Sequence, residues 1–207
     1  SILLRQSFQP SAATGQGFSI CMWFKPTADT FPDSLFIGET VGEELALPLA
    51  SKWIEDKGWE LRVTSAGRVS FHVGNANGEP FKAATTIEAA QFKDPVNDEY
   101  FWHHVCGTWF GATELKVSVL VDGADYVEKM MPAGKLKPVT SVRDTLIGRS
   151  LGNPRLKFRG LVAGFKVWGF RAVQISELAH ISGVCGTGSG SSNNLMSSSP
   201  GVNLQVE

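Results

Sequence analysis

Apolar residues along this chain recur mostly at every second position rather than at every third and fourth. FSICMWFKP (18–26), WELRVTSAGRVSFHVG (59–74), LKVSVLVDG (115–123) and LVAGFKVWGF (161–170) are short apolar or alternating runs rich in Val, Phe and Trp. Each is bounded by Gly, Pro, Asp or Asn, the residues that end strands and make turns. Within the second run, Thr64-Ser65-Ala66-Gly67 predicts a hairpin turn, with Gly67 supplying the positive φ. Leu115, Val117, Val119 and Val121 share one face of the third strand, and Asp122-Gly123 marks the turn after it. Only ISELAHI (175–181) has a helical pattern; it is short, with Ser176 as its expected N-cap. Many strands, regular turns and almost no helix predict an all-β fold. The expected form is a two-sheet antiparallel jelly-roll sandwich with one short helix near the C-terminal end of its core.

Composition narrows the class. The chain has 207 residues, 43% of them hydrophobic and 19% charged, enough for a substantial core in one domain with extensions. Its formal net charge of -1 gives no electrostatic case for nucleic acid or an anionic membrane. No apolar run reaches the length of a membrane span and no N-terminal signal peptide is visible; a start at Ser1 reads as a processed or excised piece. Residues 1–16 read as an N-terminal extension or edge strand, 17–182 as the jelly roll and 183–207 as a Gly/Ser-rich tail. In the tail, Gly186, Gly188 and Gly190 lack the preceding strand, following helix and Lys-Ser/Thr of a phosphate loop. Its apolar anchors are Leu195-Met196 and the strand-like 202–206, which a sheet edge could capture, on this domain or on a neighbouring subunit.

The richest stretch chemically is WHHVCGTWFG (102–111). His103 and His104 are consecutive on a strand, so they point to opposite faces and do not chelate one metal together. His104 and Cys106 share a face, but no third group is evident to orient the histidine as a catalytic base. Glycoside hydrolysis needs two carboxylates flanking the scissile bond, which a strand supplies most simply as E-x-D-x-E. No strand has that pattern: Glu43-Glu44 and Asp98-Glu99 are adjacent pairs in loop-like sequence, and Glu60 is alone on its strand. No catalytic residue set is expected.

His104-Val105-Cys106-Gly107-Thr108-Trp109 matches H-x-C-x-[S/T]-W, and the hairpin after it ends in Val121-Asp122-Gly123. This arrangement resembles the pentraxin-like and laminin G-like jelly rolls of the concanavalin A-like class. Leu146-Ile147-Gly148, Phe158-Arg159-Gly160, Val167-Trp168 and Ile175-Ser176-Glu177-Leu178 are similar to those families' closing strands and terminal helix. The resemblance spans roughly residues 17–182. It implies a Cys21–Cys106 disulfide, and with it an extracellular or cell-surface location. Cys185 is then unpaired or intermolecular. The pentraxin resemblance also raises the question of calcium. However, 148–160 reads GRSLGNPRLKFRG without an Asp or Glu, and Ala163-Gly164 stand where laminin G-like relatives often carry an acid. A pentraxin-type calcium site is therefore expected to be lost, and no metal or other cofactor is expected.

Two groups are candidates for ligand binding. Arg143, Arg149, Arg155, Lys157 and Arg159 crowd one segment in which Asp144 is the lone acid, suiting an acidic glycan or acidic partner surface. The alternative is a solvated loop. Trp53, Trp59 and Trp168 would serve as stacking platforms for sugars, if they are exposed rather than core. The expected function is a non-catalytic extracellular recognition or assembly module, with neighbouring subunits or domains as partners; a calcium-independent lectin is the alternative, and a glycan hydrolase or lyase the third and least favoured reading.

Overall fold

Alternation translates directly into stacked sheets. The computed structural model describes residues 2–4, 17–30, 46–55, 57–64, 66–75, 80–87, 93, 96–111, 114, 116–130, 144–150, 152–153, 156–169, 172–174, 176–177 and 204–206. The strands are β1 (Ile2–Leu4), β2 (Phe18–Pro26), β3 (Ala46–Ser51), β4 (Trp59–Thr64), β5 (Arg68–Val73), β6 (Phe81–Thr86), β7 (His103–Trp109), β8 (Lys116–Val121), β9 (Asp125–Met130), β10 (Thr145–Ile147), β11 (Gly160–Trp168) and β12 (Leu204–Val206). Sheet A has the order β1-β10-β3-β4-β5-β6, and sheet B the order β12-β11-β2-β7-β8-β9. Every pairing is antiparallel, giving the expected jelly-roll sandwich.

Every second side chain enters the core between the sheets. Sheet B contributes Phe18, Ile20, Met22, Phe24, Val117, Val119 and Val121; sheet A contributes Leu47, Trp59, Leu61, Val63, Val69, Phe71 and Val73. Phe18 bridges the layers, its ring centroid 5.2 Å from Trp59 and 6.3 Å from Phe71. Close approach of the sheets requires a glycine in β7. A Cβ at Gly107 would lie 2.4 Å from Phe71 Cδ2, so any other residue would displace that ring.

On the opposite face of sheet B, Cys21 and Cys106 stand directly across β2 and β7. They form the disulfide the family resemblance implied, with 4.1 Å between their Cα atoms. Around it lies a second small core of Leu120 and Val173, with Tyr126 and Trp168 packed against it. Val173 belongs to the segment after β11 that returns over this face, and its N–H donates to Ser19 Oγ at 2.9 Å. The Ser19 and Thr108 hydroxyls pair at 3.0 Å.

The short helical segment is described only at Ser176 and Glu177, which are helical. Its start lies earlier than the sequence pattern suggested. Glu177 N–H donates to Gln174 O at 3.0 Å, and Gln174 N–H donates back to Glu177 Oε2 at 3.3 Å. Ser176 is thus helical and not the N-cap, and the Glu177 carboxylate accepts the Gln174 N–H.

Both expected turns are present. Gly67 has φ 82 and donates its N–H to Thr64 O at 3.0 Å. Asp122 and Gly123 have φ 51 and 76, which makes the β8–β9 connection a type I′ turn. Asp122 also explains the paired histidines. Its Oδ1 accepts the His104 N–H at 2.7 Å and its Oδ2 contacts His103 Nδ1 at 2.9 Å, while its own N–H donates to His104 O at 2.8 Å. Thus the WHH stretch and the VDG turn are the two halves of one clamp.

At the tail, β12 pairs with β11 of the same chain, with Gly160 opposite Val206. The strand-like anchor therefore docks on its own sheet edge, and the tail supplies no argument for a neighbouring subunit. Cys185 and Leu195-Met196 lie outside the described residues.

Two stability measurements follow. Mass mapping of a non-reduced digest should join the Cys21 and Cys106 peptides, and replacing both by Ser should cost about 4–5 kcal/mol of unfolding free energy for a separation of 85 residues. Asp122→Ala should cost about 2 kcal/mol in urea denaturation, and Asp122→Asn about half as much, because Asn keeps an acceptor for the His104 N–H. An Asp122→Ala variant as stable as the parent would remove the clamp.

Candidate functional site

The same alternation that points Trp59, Leu61 and Val63 inward points Glu60 and Arg62 outward. On β5 it turns Ser70 and His72 outward beside them. Pairing register places Ser51, Glu60, His72 and Lys82 side by side across β3, β4, β5 and β6. Arg62 and Ser70 form the adjacent row. The outer face of sheet A thus carries a charged and hydrogen-bonding surface, whereas that of sheet B combines hydroxyls such as Ser19 and Thr108 with the small apolar core around the disulfide.

Trp53 caps this row. After β3 the chain makes a tight excursion closed by Lys52 N–H to Trp59 O at 2.9 Å and by reciprocal bonds between Ile54 and Lys57. Ser51 Oγ accepts the Trp53 N–H at 3.1 Å and donates to Ser150 Oγ at 3.4 Å. The Trp53 ring lies 5.6 Å from the Arg62 guanidinium and 6.4 Å from the edge-on ring of His72. Gly152 passes beside it; a Cβ there would sit 3.3 Å from Trp53 Cδ1. The indole is only 6% exposed.

Burial shapes the electrostatics. Glu60 is 2% exposed; its Oε2 accepts from Arg62 Nε, while its Oε1 is buried without a hydrogen-bond partner. Burial first, then the neighbouring Arg62 and Lys82 charges, pushes His72 down to about 3. His72 is therefore neutral at physiological pH, its Nε2 held 2.9 Å from Ser70 Oγ. Burial also lowers the Lys52 ammonium, opposed by Asp144.

The structure sorts the candidates named above. Trp59 is fully buried against Phe18, so it is not a stacking platform. Trp168 is partly buried and packs on the disulfide cluster of sheet B. Trp53 borders the polar row, but its indole is buried too, so it is not the exposed stacking platform the sequence suggested. In the basic segment, Arg149 faces Lys157 across an isolated bridge, and its Nε is buried without a hydrogen-bond partner. Lys157 and Arg159 are exposed. The Arg159 carbonyl accepts from the hydroxyls of Thr30 and Thr27. Arg143 and Arg155 lie outside the described residues. His104 and Cys106 do share a face, with Nε2 and Sγ 3.9 Å apart, but the disulfide occupies the sulfur. His104 is pushed down to about 4 by burial, with Asp122 opposing and Lys166 adding to the shift.

Sequence reasoning missed Ser51, Glu60, Arg62, Ser70 and His72 as a group. A signal did exist. Glu60 and His72 lie equally far on either side of Ala66 in the predicted turn, which makes them cross-strand partners in a tight hairpin.

A two-sheet jelly roll with a polar, aromatic-capped outer face belongs among the lectin-like sandwiches. The laminin G-type family model described as the Concanavalin A-like lectin/glucanases superfamily matches residues 6–179, and the chain belongs to that family. Among solved structures it is similar to the CBM40 domain of the Ruminococcus gnavus IT-sialidase bound to α2,6-sialyllactose. The TM-score is 0.59 at 15% identity, covering 87% of this chain and 95% of that one. The binding domain of Paraclostridial Mosquitocidal Protein 1 gives 0.58 at 14% identity, covering 87% of this chain and 40% of that one. The binding domain of botulinum neurotoxin serotype G gives 0.54 at 14%, covering 86% and 37%. These likenesses establish the fold. No curated protein sequence matches the chain.

The lowered His72 value fixes the sign of a pH effect. The folded state refuses a proton that the unfolded chain accepts below about 6.5, so this contribution is complete above that pH and is lost as pH falls toward 3. At pH 5 the loss is about 2 kcal/mol. His72→Gln should therefore lose about that much less stability than the parent between pH 7 and pH 5. Parallel losses in urea titrations at the two pH values would contradict it.

Proposed function

We propose that this chain is a non-catalytic recognition module of an extracellular or cell-surface protein, binding a glycan on the outer face of sheet A without calcium. The observation that carries this reading is the row Ser51–Glu60–His72 with Arg62, capped by Trp53. Sugars are recognised by a ring edge or face of an aromatic side chain together with fixed donors and acceptors. Here Arg62 offers donors from a side chain 26% exposed, and the buried Glu60 carboxylate holds it in place by accepting from its Nε. The guanidinium favours a ligand bearing a carboxylate or sulfate.

Three further points support it. The similar CBM40 domain is bound to a sialylated sugar, sialyllactose, and the similar toxin regions are binding domains. A disulfide suits an oxidising compartment. The cross-strand neighbours of Glu60 are Ser51 and His72, so its row holds no second carboxylate for acid/base hydrolysis.

A glycan array run with and without EDTA tests the reading. Acidic glycans should be retained in EDTA, and Arg62→Ala should weaken that binding roughly tenfold or more, a step of about 1.4 kcal/mol. Arg159→Ala, on the exposed basic segment, should leave it nearly unchanged. EDTA-sensitive hits would restore a calcium mechanism. Loss with Arg159→Ala but not Arg62→Ala would move the site to the basic segment, and an array without hits would reject a glycan ligand.

A further inference from the structure

Cys21, Cys106 and His104 form a cluster that the glycan-binding reading does not use. One ligand-type atom from each lies within 4.8 Å of the others, and all three residues are buried. His104 comes to this position because β7 alternation puts it on the same face as Cys106, and Asp122 holds its backbone N–H at 2.7 Å. Its ring is packed against Trp23, with centroids 4.9 Å apart. Nε2 lies 3.9 Å from Cys106 Sγ, and Nδ1 is buried without a hydrogen-bond partner. The imidazole's one described polar contact is with sulfur.

Ligands sharing one Zn2+ sit about 2.0–2.3 Å from the ion and within about 4 Å of one another. Once the S–S bond is broken the two sulfurs must part to about 4 Å, while His104 Nε2 already lies 3.9 Å from Cys106 Sγ. We propose that, when the disulfide is reduced, Cys21, Cys106 and His104 bind a thiophilic divalent d10 ion of the Zn2+ class, which replaces the covalent clasp between β2 and β7. A thiol or phosphine reductant supplies two electrons, the S–S bond breaks and each sulfur takes a proton. Metal binding then releases both protons to solvent. Two thiolates with a divalent ion make a site of no net charge, which suits burial among Leu120, Val173 and Trp168. Soft sulfur ligands disfavour Ca2+ and Mg2+.

The test uses the full chain carrying Cys185→Ser, so that the tail thiol does not compete. After phosphine reduction without oxygen, Cd2+ titration should give the ultraviolet thiolate-to-Cd2+ charge-transfer band, saturating at one ion per chain and reversed by excess Zn2+. The oxidised chain should give no band. His104→Gln, shown to fold in its oxidised form, should weaken binding roughly tenfold or more. Zn2+ should also raise the thermal midpoint of the reduced chain, or refold it if reduction alone unfolds it. Absence of the band, equal affinity in His104→Gln, or binding without gain in folded state would each overturn the proposal.

Discussion

Cys21 and Cys106 face each other across β2 and β7, the two central strands of sheet B, and much of the architecture depends on that register. A slip of one residue would exchange the two faces of β2, sending Phe18, Ile20, Met22 and Phe24 outward. The same register places Gly107 beneath Phe71 of sheet A, the one described position in β7 where the opposite layer leaves no room for a Cβ. The disulfide thus fixes more than a loop. It holds the strand pair whose inner surface sets how sheet A is seated, and Asp122 extends the hold to the β8–β9 turn.

With sheet A seated, its outward positions follow from alternation, and their chemistry departs from that of the core. Burying one unpaired carboxylate oxygen costs about 1–3 kcal/mol, and a histidine pushed down to about 3 is a group held neutral against its intrinsic preference. The inner faces already provide the sandwich's apolar core, so packing alone does not call for Glu60, Arg62 and His72 in this row. Sheet B carries a comparable group in His104, pushed down to about 4 with its Nδ1 buried and unpaired, so what sets the sheet A row apart is its partly exposed guanidinium.

The fold was legible because its signals are local. Period-two runs such as Trp59-Glu60-Leu61-Arg62-Val63, the Gly67 turn and the Asp122-Gly123 turn each act within a few residues. The Cys21–Cys106 pair was reached through family resemblance, since strand order across 85 residues is not written in either cysteine. The polar row was harder. Glu60 looked solitary because its partners come from β3 and β5, and His72 gains meaning only through hairpin register. Trp53 and Trp59 looked equivalent, yet one lies in a turn over the outer face and the other between the sheets. Ser176 lies within the helical segment and does not cap it, because the capping group is a side chain three residues from its partner, the Glu177 carboxylate on the Gln174 N–H. For the tail, composition left its own edge and a neighbour's equally open; backbone pairing to β11 decided it.

The two outer faces end with different assignments for a physical reason. Sheet B is covered by its own chain: the return through Val173 seals the disulfide and Trp168 packs beside it. β12 also lengthens that sheet beyond β11. An outer face covered in this way is committed to holding the domain together. On sheet A, the outward residues of β4 and β5 are Glu60, Arg62, Ser70 and His72, whose hydrogen bonds run mostly to one another and leave part of the Arg62 side chain at the surface. Such a surface gains little by covering itself further, because each polar group buried there needs a new partner. A ligand carrying its own hydroxyls and an anionic group would supply those partners, and that difference between the faces is the physical ground for proposing recognition on sheet A and not on sheet B.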